Sequence, residues 1–105
     1  MSPAERHTWI ADYLRARSVQ FAYTVDVLHR AFVDDYIEAC GPVMVGVMPY
    51  GANRVPQLGR DLAAMFKAGT LTRSATGLEG MAGMGFPRWC YVYRLAAPIT
   101  SEQTS

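Results

Sequence analysis

The sequence predicts an α+β domain of three helices followed by a C-terminal β-hairpin. Three observations carry this. The N-terminus opens with a helix-capping signal. Two internal stretches then repeat apolar residues at helical spacing and stop at a glycine. Finally, two strand-like stretches, "TLTRSAT" and "WCYVYRLA", flank the glycine-rich "GLEGMAGMGFPRW".

In the first helix, expected at about 3–17, Ser2 can cap, Pro3 suits the first helical position, and Glu5 stands three residues after Ser2. Ile10, Tyr13, Leu14 and Arg17 fall on one face, with Trp9 beside it. The next stretch, "SVQFAYTV", alternates and reads as a short strand or an extended connector. Thr24 or Asp26 is then positioned to cap a second helix. Its stripe is Val25, Leu28, Phe32 and Tyr36, extended by Val33, Ile37 and Cys40. His29, Arg30, Asp34, Asp35 and Glu38 lie mostly outside that stripe. Gly41, in a left-handed conformation, and Pro42 would stop the helix.

The run 43–48 is apolar and reads as either a short buried strand or a packed loop. A turn follows at Pro49, Gly51 and Asn53. The third helix has Asn53 as its expected cap and Pro56 in its first turn. Leu58, Leu62, Met65 and Phe66 form its buried stripe, leaving Gln57, Arg60, Asp61, Ala64 and Lys67 outside, and Gly69 ends it. In the last strand Trp89, Tyr91, Tyr93 and Leu95 share a face opposite Cys90, Val92 and Arg94. The aromatic rings invite a base-stacking reading, but against the helices they read as core. Residues 98–105 read as a polar tail.

Composition narrows the function. The chain has 105 residues, half of them hydrophobic and 18% charged, which suits one domain with one core and argues against disorder. The uncharged apolar run 41–52 holds two prolines and three glycines and is too short to span a bilayer. No membrane partner is expected, and a cytoplasmic location is. Cys40 and Cys90 read as two buried free thiols. No metal, cofactor or catalytic set is expected, because no ligand pair, phosphate loop or nucleophile motif is present. Net charge is +1, yet residues 1–52 carry −2 and residues 53–105 carry +3.

The passage "LGRDLAAMFKAGTLTRSATG…RWCYVYRL" resembles the back half of a winged helix-turn-helix domain. The resemblance rests on a helix with spaced leucines, then Gly69, Leu71 and Arg73 as a G-x-L-x-R strand start, then a hairpin ending on an aromatic-rich strand. It covers about residues 4–96 and points to small phage or mobile-element proteins. It implies a winged-helix domain over 1–97, a recognition helix at about 54–68 and a β wing at about 70–95. The implied partner is double-stranded DNA, the implied role transcription regulation, and the implied assembly a homodimer.

On that reading Arg60 would contact guanine, Gln57 adenine, and Lys67 a phosphate. Arg54 would add to the anion site at the helix N-terminus. Arg73 and Arg88 would flank the wing. One departure stands out. Twelve residues, 41–52, separate the second and third helices, where helix-turn-helix units use three or four. That linker, the acidic second helix and the apolar wing-loop residues Met81, Met84 and Phe86 support an alternative reading. In it the chain is a protein-interaction module on the same scaffold, such as a phage-encoded inhibitor or adaptor of a host protein.

Overall fold

The computed structural model describes residues 1–41, 44–47, 53–78 and 89–96. The chain runs α1 (Pro3–Arg17), α2 (Arg30–Cys40), β1 (Gly46–Val47), β2 (Asn53–Arg54), α3 (Pro56–Lys67), β3 (Leu71–Gly77) and β4 (Trp89–Leu95). It is therefore an α+β fold, with three helices and an antiparallel strand pair at the C-terminal end.

Local chemistry sets the helix ends. Ser2 Oγ accepts from the Glu5 amide at 3.1 Å, and Glu5 Oε1 accepts from the Ser2 amide at 2.8 Å. This is the reciprocal box the sequence predicts, with proline at the first turn. At the end of α3, Gly69 takes φ +84°. Its amide reaches Phe66 O at 3.0 Å and the Thr70 amide reaches Met65 O at 2.9 Å. That pair of bonds is a Schellman closure, and it turns the chain directly into β3.

Helix α2 stops at Cys40, just before Gly41, as the sequence predicts, but its start and the conformation of its closing glycine differ from expectation. It begins at Arg30, not near Thr24 or Asp26. Asp26 instead makes a local turn, accepting from the Leu28 amide at 2.7 Å. The cap is His29, whose Nδ1 accepts from the Phe32 amide at 3.3 Å, while its Nε2 lies 3.1 Å from Tyr23 Oη. His29 is thus part of the helix start and not a bystander on its surface. At the other end Gly41 is extended, with φ −68° and ψ 169°. The proline that follows disfavours a helical or left-handed turn there.

Val25 makes one bridge to Tyr93, with N–O distances of 2.9 and 2.8 Å. The connector between α1 and α2 therefore lies against β4 at a single residue and is no longer strand. Strand β1 pairs with β2, but Met44, Val45 and Val47 are exposed, so the described residues of the apolar run form no buried strand. Strands β3 and β4 pair from Leu71↔Leu95 to Gly77↔Trp89.

One core joins these elements. Ile10, Tyr13 and Leu14 of α1 meet Phe32, Val33 and Tyr36 of α2, Leu58, Leu62 and Met65 of α3, and Leu71 and Tyr93 of the hairpin. Cys40 and Cys90 are buried free thiols, and burial pushes both up from the ordinary thiol value. Arg17 is exposed, its guanidinium lying 3.5 Å from the centre of the Tyr13 ring. Trp89 overturns the expectation that β4's aromatics are all core, since it is 51% exposed. Among the described residues no helix is long and apolar enough to cross a membrane.

Candidate nucleic-acid interface

The character of α3's outer face follows from one residue on its inner side. Asp61 was expected outside the apolar stripe, but it is buried at 3% exposure. Its helical position lies beside Leu58, Leu62 and Met65, on the edge of the stripe. A buried carboxylate must be paired and hydrogen-bonded, and four donors converge here. Oδ2 takes Arg6 Nε at 2.8 Å and the Tyr36 hydroxyl at 2.5 Å. Oδ1 takes Arg6 Nη2 at 3.1 Å and lies 3.2 Å from His7 Nε2. A carboxylate can only accept, so His7 Nε2 carries its proton in this contact. Burial raises the Asp61 pKa. The Arg6 and Tyr36 hydrogen bonds, the Arg6 charge and His7 more than offset that, leaving it below its ordinary 3.8. Burial and the Asp61 carboxylate push the Tyr36 phenol up in turn.

This arrangement removes the single acid of α3 from the surface and neutralises it with a cation from α1. What remains outward on α3 is Arg60, Ala63 and Lys67, at spacings of three and four, flanked by Gly59 and Ala64. Arg60 and Lys67 are exposed. Arg54, at the end of β2, joins them. It lines one open cleft of about 450 Å³ with Val27, Pro56, Gly59, Arg60 and Ala63. The N-cap of α3 is Val55, which provides no side-chain hydrogen bond. Pro56 has no N–H, and the Leu58 and Gly59 amides both reach Val55 O, at 3.1 and 3.4 Å, so only the Gln57 amide of this turn lacks a backbone partner among the described residues.

The remaining expected contacts divide. Gln57 is partly buried and its Nε2 donates to the Tyr36 hydroxyl at 3.1 Å, which ties it to the inner network. The Arg73 guanidinium lies over two rings, its Cζ 4.0 Å from the centre of Phe66 and 3.9 Å from the centre of Tyr91. Arg88, Met81, Met84 and Phe86 lie outside the described residues. Asn53, the expected cap of α3, sits on β2 and donates from Nδ2 to Asp34 Oδ1 at 3.3 Å.

One cation was not singled out from the sequence. Arg94 is exposed beside Thr72, with Nε 3.3 Å from Thr72 Oγ1, in a small cleft that also takes in Thr24 and Ser74. Strand alternation opposite the aromatic face was the signal that could have found it.

Among the described residues, the cations in ion pairs all belong to α1. Arg6 pairs with Asp61, and Arg15 Nη1 pairs with Asp12 at 2.7 Å. Among the described residues, none of Arg54, Arg60, Lys67, Arg73 or Arg94 forms an ion pair. Tyr13 donates to Asp35 at 2.8 Å, and burial with that bond pushes the phenol up to about 12. The acids of α2 thus include one with a structural partner, and the described residues hold no cluster of three or more potential metal ligands.

No family model, curated protein or solved structure matches this chain.

Proposed function

We propose that this chain is a double-stranded-DNA-binding regulator of winged-helix type, with α3 as its recognition helix and β3–β4 as its wing. The observation that carries the reading is the inward turn of Asp61. It leaves α3 an outward face of two cations on small residues, neither in an ion pair among the described residues. A helix entering a major groove needs such a face: narrow enough to approach the bases, with a guanidinium able to reach guanine O6 and N7. Arg60 has that role and Lys67 meets phosphate. Arg54 holds a second phosphate. Arg94, Thr72 and Ser74 contact the backbone from the wing.

The test is titration of labelled duplex DNA at two salt concentrations, with wild type and an Arg60→Ala/Lys67→Ala double variant. The double variant is expected to bind at least tenfold more weakly and to show a shallower salt dependence, by about one to two units of slope. Absence of wild-type binding at low salt, or equal binding by the double variant, would sink the proposal.

A second reading rests on a separate observation. Val19 and Phe21 in the connector after α1, and Met44 ahead of β1, stand 82–84% exposed. Large apolar side chains so open to water suit a protein partner. Recovery of a stoichiometric protein from host lysate after nuclease treatment would favour it. Recovery of only nuclease-sensitive material would count against it.

A further inference from the structure

The hairpin carries a second surface that duplex binding by α3 does not use. Along β4, Trp89, Tyr91 and Tyr93 alternate on one face. Only Tyr93 is closed into the core. Trp89 meets Tyr91 edge-on, with ring centres 4.9 Å apart and planes at 77°. The Tyr91 ring carries the Arg73 guanidinium at 3.9 Å, and the same guanidinium lies 4.0 Å from the centre of the Phe66 ring. A continuous file, Trp89–Tyr91–Arg73–Phe66, therefore runs from the open end of the hairpin to the flank of α3.

The register explains why the outer rings stay open. Trp89 and Tyr91 stand opposite Gly77 and Ala75. Neither has a side chain long enough to cover a ring, so the cross-strand contact that normally shields an aromatic pair is missing. Arg73 adds charge without a carboxylate: among the described residues it has no ion pair, and it lies against two rings. A planar cation packed on rings can present its N–H groups to an anion while the exposed Trp89 presents a π-face. Flat apolar surface beside a fixed cation is the chemistry of an unpaired nucleotide, which offers a base to stack and a phosphate to bind.

We propose that this file is a stacking platform for single-stranded nucleic acid, holding an unpaired base on the exposed Trp89, which Tyr91 backs edge-on, with the adjoining phosphate at Arg73. The platform is distinct from the α3 face and does not depend on it. Base stacking is tolerant of sequence, so the site selects single strands over paired ones without selecting a sequence.

The experiment uses the full chain with labelled oligo(dT) and oligo(rU) of about ten nucleotides and, in a third arm, blunt duplex DNA. Wild type is expected to bind at least one of the single strands, with quenching of tryptophan fluorescence. Trp89→Ala should weaken that binding at least fivefold while leaving duplex affinity within about twofold. Trp89→Phe should retain most of the affinity but lose the quenching, because Trp9 lies away from the hairpin in the α1–α2 packing. Arg73→Lys keeps the charge and loses the flat contact, and should weaken single-strand binding as well.

The relative strength of the two single-strand arms tells DNA from RNA. The proposal is overturned if neither oligonucleotide binds at low salt, or if Trp89→Ala and Trp89→Phe both behave as wild type. Failure of the duplex arm alone would remove the α3 reading and leave this one standing.

Discussion

Asp61 shows how one side chain sets the chemistry of a face it does not occupy. Its carboxylate holds α3 to Arg6 and His7 of α1 and to Tyr36 of α2. Asp61→Ala leaves Arg6 without its counter-charge in a mostly buried setting. Removing one partner of such a pair costs about 3–5 kcal/mol, which urea unfolding would read as a large drop in midpoint. Tyr36→Phe removes one charge-assisted bond and costs less, about 1.5–3 kcal/mol. The pH dependence has a definite sign. Asp61 titrates lower in the folded chain than its ordinary 3.8. Its contribution is therefore complete above that value and is lost as pH falls through the lower folded value. Asp61→Asn should be less stable than wild type at neutral pH and should show a flatter loss of stability below about pH 4. Some acid dependence should survive in that variant. Glu5 is also held low, by hydrogen bonds from the Ser2 amide and hydroxyl.

At the scale of elements, two glycines in and after α3 make opposite predictions. Gly69 occupies the left-handed region, where a Cβ is strained whatever space surrounds it. Gly69→Ala should cost about 1–2 kcal/mol by urea unfolding. Gly59 lies within the helix, and a Cβ built there meets nothing within 4 Å. Gly59→Ala should raise stability by about 0.5–1 kcal/mol. If that same variant loses duplex affinity, the methyl has obstructed a close approach of α3 to DNA.

These helix ends also show what was legible in the sequence. The start of α1 and the stop of α3 rest on bonds within five residues of each other, so local signals suffice. The start of α2 was misplaced because Asp26 could cap a helix or close a turn, and its own chain neighbours favour the turn. The burial of Asp61 was not legible at all, since its partners Arg6 and Tyr36 lie 55 and 25 residues away. The same limit hid the opening of Trp89, which depends on Gly77 being its cross-strand partner.

For the whole molecule, a net charge of +1 understates the field a partner would meet. The described acids lie on α1, on the connector at Asp26 and on α2, apart from Asp61, which is buried and paired. The cations of α1 are largely spent within the chain: Arg6 on Asp61, Arg15 on Asp12, and Arg17 on the ring and carbonyl of Tyr13. From Asn53 onward the described chain carries Arg54, Arg60, Lys67, Arg73 and Arg94, none of them in an ion pair among the described residues.

If duplex affinity comes from this half alone, salt dependence should report local cations and be indifferent to total charge. Arg54→Ala/Arg94→Ala changes the net charge by two units and touches two proposed phosphate contacts. It should lower the magnitude of the slope of log K against log salt by about two. Asp34→Asn/Glu38→Gln changes net charge by the same amount in the opposite sense, at two exposed positions of α2 and none of the proposed DNA contacts. It should leave the slope unchanged within about half a unit, with at most a small gain in affinity at low salt from reduced long-range repulsion. Salt titrations of the two double variants beside wild type make the comparison. Equal and opposite changes in slope would show that total charge governs binding and would remove the case for a localised DNA face.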